Sequence, residues 1–314
     1  MKTNVFMAVF MLALVSCHTD ESVTELYTAE SLDTLITLNA TMGDETLSRA
    51  QVQLDNTDTG VEYFQWNEGD TFCLYDVGLQ GKTVPTGATI FTISANYDDN
   101  NPSNSATFTA VSDINDGNSV VAVYPMLNEI GSGGTLTLAI ADTVLLKTNS
   151  DDEIKEYMTD NMYMYGTSQL SYNITFISFS HLTTMVRIVY ANASETEQAV
   201  TSVRIAGDSD YFGTESSFSI VGASGTVTSK TTSMGMTFDD VTVAVGDSMD
   251  FYIMFFHGDD FKDDGTLAIE VNGQTVEMKT MDIQTDNFNA GYRYKFKVTQ
   301  TSNGLIWTSE YSAE

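Results

Sequence analysis

Short runs in which apolar and polar residues alternate recur along most of the chain, and Gly, Asn, Asp and Ser separate them. Alternation with a period of two is typical of β-strands that bury one face. Candidate strands cover residues 34–39, 61–66, 71–75, 89–94, 106–110, 119–124, 135–140, 171–179, 184–190, 202–205, 217–221, 241–245, 250–256, 267–271, 275–278 and 292–298. This many short strands with turn-rich spacers predicts an all-β chain built from antiparallel sandwiches.

One segment, residues 150–158, departs from this pattern and favours a helix. Ser150 and Glu153 have the spacing of a capping box, and acidic residues fill the predicted first turn. We expect a short helix or lid on a sandwich.

The polar, charged stretch 191–198 has candidate strands on both sides, which indicates a domain boundary. We therefore predict an N-terminal β-sandwich over residues 32–192 and a C-terminal β-sandwich over residues 193–300. Residues 301–314 would then form a tail.

The N-terminus has the pattern of a signal peptide rather than of a folded element. Lys2 precedes an apolar run over residues 5–15, which is shorter than the about 20 residues that a membrane span needs. The run ends in Leu14-Val15-Ser16-Cys17, which resembles a bacterial lipobox. We predict a signal peptide over residues 1–16, lipidation of Cys17 and a lipidated tether over residues 17–31. The alternative is an ordinary signal peptide with an incidental cysteine.

Charge and motifs exclude several classes of function. The chain has 43 acidic and 13 basic residues and a formal net charge of −30, which argues against nucleic-acid binding. It has no phosphate-binding loop, hydrolase nucleophile elbow or zinc-protease helix motif. Acidic clusters could bind calcium, but none follows the EF-hand register. We expect no enzyme and no cofactor other than the covalent lipid.

Several short motifs, taken in order, point to one family. They are Trp66-Asn67-Glu68-Gly69-Asp70, Tyr124-Pro125, Met164-Tyr165-Gly166, Phe179-Ser180-His181 and Gly291-Tyr292-Arg293-Tyr294-Lys295-Phe296. This order, behind a lipobox, resembles the fimbrillin-like family of outer-membrane lipoproteins, the pilins of type V pili. Each of these residues also has a structural explanation, as a core anchor, a turn or a strand end.

The resemblance implies a precursor carried to the outer membrane by its lipid and built from two transthyretin-like β-sandwich domains. It also implies polymerisation by strand donation. An arginine-specific protease cuts an N-terminal loop, the first strand leaves, and a strand of another pilin subunit fills the vacated groove. The physical basis is general, since a sandwich that lacks one strand exposes unpaired backbone groups and an apolar trough.

Arg49 is at the position that the resemblance implies for proteolytic processing. It is the only arginine before residue 187, and polar, turn-prone residues precede it. The alternative is an ordinary loop arginine. If the chain is cut there, the displaced strand would present Leu32, Thr34, Ile36 and Leu38 on its apolar face.

The C-terminal tail holds a candidate donor strand. Leu305, Trp307 and Tyr311 alternate along one face of it. An exposed tail with these side chains is costly unless it is docked, so it either donates to a neighbour or packs on its own domain. Two other functions fit the composition, a surface glycan-binding lipoprotein and a calcium-stabilised adhesin.

Overall fold

A computed structural model describes residues 34–42, 66, 69–78, 87–94, 105–127, 130–280 and 288–313. Most of these residues lie in strands, so the chain belongs to the all-β class, as the alternating pattern predicts. The strands are β1 (Thr34–Met42), β2 (Thr71–Asp76), β3 (Thr89–Ile93), β4 (Ser105–Ser112), β5 (Ser119–Tyr124), β6 (Thr135–Ala139), β7 (Thr143–Leu146), β8 (Met164–Gln169), β9 (Thr175–His181), β10 (Thr183–Asn192), β11 (Gln198–Ala199), β12 (Ser202–Gly207), β13 (Phe212–Ser219), β14 (Ser224–Thr231), β15 (Ser233–Phe238), β16 (Thr242–Val243), β17 (Ser248–His257), β18 (Thr266–Val271), β19 (Gln274–Lys279), β20 (Arg293–Thr301) and β21 (Gly304–Ala313).

Seven strands of the N-terminal half close into a barrel in the order β1, β4, β3, β2, β5, β8 and β9. Every neighbouring pair is antiparallel except the closing pair, in which β1 runs parallel to β9. The buried side chains of these strands fill the interior with large aromatic rings, including Phe72, Phe91 and Phe108, and Trp66, which precedes β2, joins them. The barrel is therefore a packed core that depends on the contact between its first and last strands.

Two further sheets are built mainly from the C-terminal half of the chain. One has the order β14, β13, β17, β10, β20 and β21, with β6 paired to β13, and the other has the order β19, β18, β12, β15 and β7. A short pair, β11 and β16, completes the set in the described residues. The sheets are mixed rather than purely antiparallel, because β10 runs parallel to β20 and β15 runs parallel to β7.

Strand pairing crosses the point at which the sequence suggests a domain boundary. β6 and β7 precede residue 192 but pair with β13 and β15, and β10 also lies in a C-terminal sheet. A polar stretch identifies a loop, whereas pairing between distant strands leaves no local signal in the sequence. The division into sandwiches over residues 32–192 and 193–300 stays a prediction.

The predicted helix is confirmed as α1 (Asp151–Asn161). The Ser150 hydroxyl accepts a hydrogen bond from the Glu153 backbone N–H at 3.4 Å, as an N-cap does. The Glu153 carboxylate accepts from the backbone N–H and the hydroxyl of Thr148, at 2.8 and 2.9 Å. These bonds, the backbone bond first, lower the pKa of Glu153.

α1 and Tyr163, which lies between α1 and β8, contact a C-terminal sheet. The Tyr157 hydroxyl of α1 accepts a hydrogen bond from the backbone N–H of Met254 in β17 at 2.9 Å. The ring of Tyr163 stacks on Phe256 with centroids 5.6 Å apart. Buried aromatic contacts of this kind add to the free energy of area burial. None of the helical segments in the described ranges has the length and apolar character needed to cross a lipid bilayer.

β1 has one buried and one exposed face, so its two leucines should contribute differently to the free energy of unfolding. Leu38→Ala should lower the free energy of unfolding by about 3 kcal/mol, because it empties a fully buried position in the barrel. Leu35→Ala is the matched control on the same strand, and it should change this energy by less than about 0.5 kcal/mol because Leu35 is exposed. Urea unfolding monitored by tryptophan fluorescence measures both, and equal losses would contradict the inward register of β1.

Candidate functional site

β1 occupies a slot between two other strands of the barrel. It pairs antiparallel with β4 from Thr34 opposite Ser112 to Thr41 opposite Ser105. On its other side it runs parallel to β9, from Leu38 opposite Thr175 onward. β1 therefore uses backbone hydrogen bonds on both of its edges, as an internal strand does.

The inward face of β1 is part of the barrel core. Ile36, Leu38 and Ala40 have no exposed surface. On β4 they lie opposite Ala110, Phe108 and Ala106, respectively. The departure of β1 would thus expose two unpaired strand edges and an apolar trough between them, and both costs are large.

The sequence analysis assigns four residues to the apolar face of the displaced strand: Leu32, Thr34, Ile36 and Leu38. Ile36 and Leu38 lie in the core, and Thr34 is the first residue of β1. Leu32 lies outside the described residues, and so do Arg49 and Cys17. The buried position that the sequence analysis missed is Ala40, and the signal for it was present, because Ala40 continues the alternation of Ile36 and Leu38.

The candidate donor segment forms β21, which pairs antiparallel with β20 at one end of its sheet. The pairing shifts in register between Phe296 and Lys297, and Tyr311 lies opposite Phe296. Trp307 is half-buried, with its ring 5.7 Å from that of Phe296. The Leu305 backbone N–H donates to the side-chain oxygen of Gln274 at 3.2 Å. The tail was expected either to donate to a neighbour or to pack on its own domain. In the single chain it packs on its own sheet, through β20.

Residues from three of the sequence motifs meet in the barrel. Trp66 makes edge-to-face contacts with Phe108, Tyr124 and Phe179, with centroids 4.8, 5.5 and 5.6 Å apart. The Tyr124 hydroxyl donates to the Asp70 carboxylate at 3.2 Å. Burial, with the adjacent Asp70 charge, raises the pKa of Tyr124 well above its ordinary value. These residues stabilise the core that β1 completes, and they have the arrangement of a structural anchor.

The glycine of a fourth motif permits a close contact between β8 and β9. A Cβ atom at Gly166 would lie 2.5 Å from a methyl group of Ile177 and 2.7 Å from the backbone oxygen of Ser178. Only a glycine fits at this separation. Gly166 therefore helps to hold β9 in position, and β9 is one of the two strands that border β1.

The motif that ends in His181 and the motif that begins at Gly291 meet where β9 leads into β10. Gly291 has a φ of +82°, which favours glycine, and its backbone N–H donates to the Thr183 carbonyl at 2.9 Å. A Cβ atom at Gly291 would lie 3.7 Å from that of His181. Burial lowers the pKa of His181 to about 4. The histidine motif and the C-terminal motif thus fix the junction between the barrel and the C-terminal sheets.

Neither a metal site nor a flat aromatic platform stands out in the described residues. In those ranges, no group of three or more His, Cys, Asp and Glu side chains could hold a metal ion. Most aromatic side chains are buried, and the exposed ones in the same ranges are Tyr172, Phe176 and Tyr292. A calcium role and a glycan-binding role stay predictions.

Comparison with known proteins shows likeness in structure only. No protein-family profile matches the chain, and no curated protein matches its sequence. A protein from Bacteroides uniformis, provisionally assigned to cell adhesion, is 17% identical with a TM-score of 0.52, over 90% of this chain and 97% of that chain. A second, from Bacteroides ovatus and with the same provisional assignment, is 12% identical with a TM-score of 0.52, over 89% of this chain and 95% of that chain.

The chain has the fold of these two Bacteroides proteins. The fimbrial anchor protein Mfa2 from Porphyromonas gingivalis also aligns, with 11% identity and a TM-score of 0.39, over 89% of this chain and 97% of that chain. At the level of the fold, the likeness to the two Bacteroides proteins agrees with the resemblance that the motifs indicate.

Burial of His181 predicts a loss of stability in acid. The pKa is about 4 when folded and about 6.5 when unfolded, so the unfolded state binds more protons between these values. The contribution of His181 is complete above pH 6.5 and falls by up to about 1.4 kcal/mol per pH unit below it.

His181→Gln should flatten this part of the pH profile, measured by urea unfolding between pH 7.5 and pH 4.5. His257→Gln, which removes a partly exposed histidine 3.3 Å from Asp260, is the control. The same acid slope in wild type and His181→Gln would show that His181 does not carry the effect.

Proposed function

We propose that the chain is a non-enzymatic cell-surface lipoprotein that acts as a fimbrial subunit or accessory fimbrillin and supports adhesion. In this proposal Cys17 carries the lipid that holds the precursor at the outer membrane. Assembly follows a protease-triggered strand exchange with other pilin subunits, and the two halves have a transthyretin-like arrangement. The fold shared with the adhesion proteins and the ordered motifs support this role.

The observation that carries the proposal is the position of β1 in the chain and in the barrel. β1 is N-terminal to Arg49, and all the other described strands follow Arg49. A single cut after Arg49 would leave β1 attached to the body by non-covalent contacts alone. The same cut would separate the body from Cys17, so loss of the lipid anchor and readiness for exchange would arise from one event.

The slot sets requirements for whatever replaces β1. Burial of a Leu or Ile side chain is worth about 1.5–3 kcal/mol, so Ile36 and Leu38 hold β1 in place and slow its spontaneous departure. A replacement strand must run antiparallel to β4 and parallel to β9. It must also present two large apolar side chains and one small side chain, spaced two residues apart, at the positions of Ile36, Leu38 and Ala40.

β21 has a matching pattern. Leu305, Trp307 and Ser309 follow the order large, large and small at the same spacing. β21 is held by one ladder that contains a register shift, whereas β1 is held by two ladders. Release of β21 is therefore the less costly step. Trp307 is bulkier than Leu38, so the barrel core would have to adjust around it.

The test is cleavage of the lipid-free precursor by an arginine-specific protease. We expect the body to begin at Ala50, the N-terminal peptide to dissociate, and multimers to accumulate over time. Mass spectrometry reads the cut, and size-exclusion chromatography with light scattering reads the mass. Arg49→Lys is the matched control, since it keeps the charge and removes the cleavage site. It should remain uncut at this position and form no multimers by strand exchange.

A peptide of residues 34–42 should suppress the multimers when it is present in excess, because it refills the slot. The same peptide with Leu38→Asp should not, because a buried unpaired carboxylate is costly. A clean cut at Arg49 that neither frees the strand nor yields multimers would refute strand exchange.

A further inference from the structure

The dipeptide Asn-Gly occurs twice in the chain, at Asn272-Gly273 and at Asn303-Gly304. Both copies lie at tight turns between paired strands, the first between β18 and β19 and the second between β20 and β21. Both asparagines are exposed. An asparagine side chain can be attacked by the backbone nitrogen of the next residue, and a glycine there has no Cβ to obstruct the approach. The two copies therefore offer the same chemistry in two different settings.

Hydrogen bonds fix the side chain of Asn272. Its Oδ1 accepts from the backbone N–H and the hydroxyl of Thr201, at 2.7 and 3.0 Å, and from the backbone N–H of Ser202 at 3.2 Å. Its Nδ2 donates to the backbone oxygen of Ala199 at 2.6 Å. The amide thus ties the β18–β19 turn to the segment that leads into β12. It must break these bonds before it can rotate towards the nitrogen of Gly273.

The side chain of Asn303 is not held in this way. Its backbone N–H donates to the Thr301 hydroxyl at 3.2 Å, but across the described ranges no hydrogen bond holds its amide group. Beyond the chain neighbours of Gly304, a Cβ atom at that glycine would meet a single atom within 4 Å, the side-chain oxygen of Gln274 at 3.6 Å. The space around Gly304 is therefore open, and the Asn303 amide is free to approach the Gly304 nitrogen.

We propose that Asn303 is a site of spontaneous deamidation and that Asn272 is protected from it. The Gly304 backbone nitrogen gives up its proton and attacks the side-chain carbonyl carbon of Asn303. A new C–N bond forms, the bond to the amide nitrogen breaks, and that nitrogen leaves with the proton as ammonia. Water then opens the resulting succinimide ring at either carbonyl and yields aspartate or isoaspartate. The reaction consumes only water and needs no oxidant, reductant or enzyme.

The modification changes the turn from which β21 begins. Isoaspartate carries the main chain through its side-chain carbon, so it lengthens the turn between Thr301 and Gly304, and it leaves a new carboxylate there. The Thr301 hydroxyl donates to the Gly304 backbone oxygen at 2.9 Å, and the Leu305 backbone N–H donates to the Gln274 side chain at 3.2 Å. Both bonds depend on the present turn.

Deamidation at Asn303 therefore weakens the docking of β21 on β20. This consequence deepens the proposed function and rests on it, because β21 is the candidate donor strand there. A chain modified at Asn303 would release β21 more readily than a newly made chain. The modification itself depends only on the setting of the asparagine.

The first experiment incubates the uncut, lipid-free precursor at mildly alkaline pH and maps the deamidated peptides by mass spectrometry. Asn303 should react at least about tenfold faster than Asn272, which corresponds to about 1.4 kcal/mol in the barrier. A sample unfolded in urea is the control, because it frees the Asn272 amide, and there the two sites should react at similar rates. Equal rates in the folded chain, or faster reaction at Asn272, would overturn the proposed site.

The second experiment separates the modified chain by anion-exchange chromatography, which detects its added charge, and follows hydrogen exchange. The β21 amides should exchange at least about tenfold faster in the isoaspartate form, and the β4 amides should not change. Asn303→Ser is the matched variant, since it has no amide to lose, and it should keep slow β21 exchange after the same incubation. Unchanged β21 exchange in the modified chain would overturn the effect on docking.

These outcomes are distinguishable from failure of the proposed function. Neither experiment uses a protease, cleavage at Arg49 or multimers. A precursor that is cut but does not exchange strands would still be expected to lose ammonia at Asn303. An intact Asn303 would leave the Arg49 cleavage test unaffected.

Discussion

The structure depends on the insertion of one strand between two others. β1 closes the barrel by pairing with β4 on one edge and β9 on the other, and it contributes Ile36, Leu38 and Ala40 to the core. No other described strand precedes Arg49 in the chain. The element that completes the core is thus also the element most easily separated from it by a single break, and the proposed assembly follows from this coincidence.

Local features of this fold could be predicted from the sequence, whereas long-range features could not. Alternation identified β1, β4, β5 and β9 within a few residues, and Ser150 marked the start of α1. The parallel closure of β1 on β9 joins residues more than 130 positions apart, and β6 pairs with β13 across the helix and six strands. Alternation specifies which face is buried but not which strand lies beside it.

The same division applies to the candidate site. The inward face of the first strand could be predicted from Ile36 and Leu38, because burial follows from alternation alone. The pairing partner of the C-terminal tail could not be predicted in the same way, since an alternating strand docks equally well on its own sheet or on another chain. In the single chain β21 pairs with β20, and donation of the tail to a neighbour stays a prediction. The motif residues Trp66, Tyr124 and Gly166 read as a family signature, and the fold explains them as packing positions around the slot.

Two copies of a strongly acidic protein repel each other, so their assembly needs contacts that outweigh this repulsion. A strand that enters the barrel is shielded from this repulsion, since β4 and β9 carry no formal charge and the trough is apolar. In the proposed assembly, hydrophobic burial in the trough therefore acts where the bordering strands add no like charge. An empty slot can accept an apolar strand there although the two subunits repel each other elsewhere.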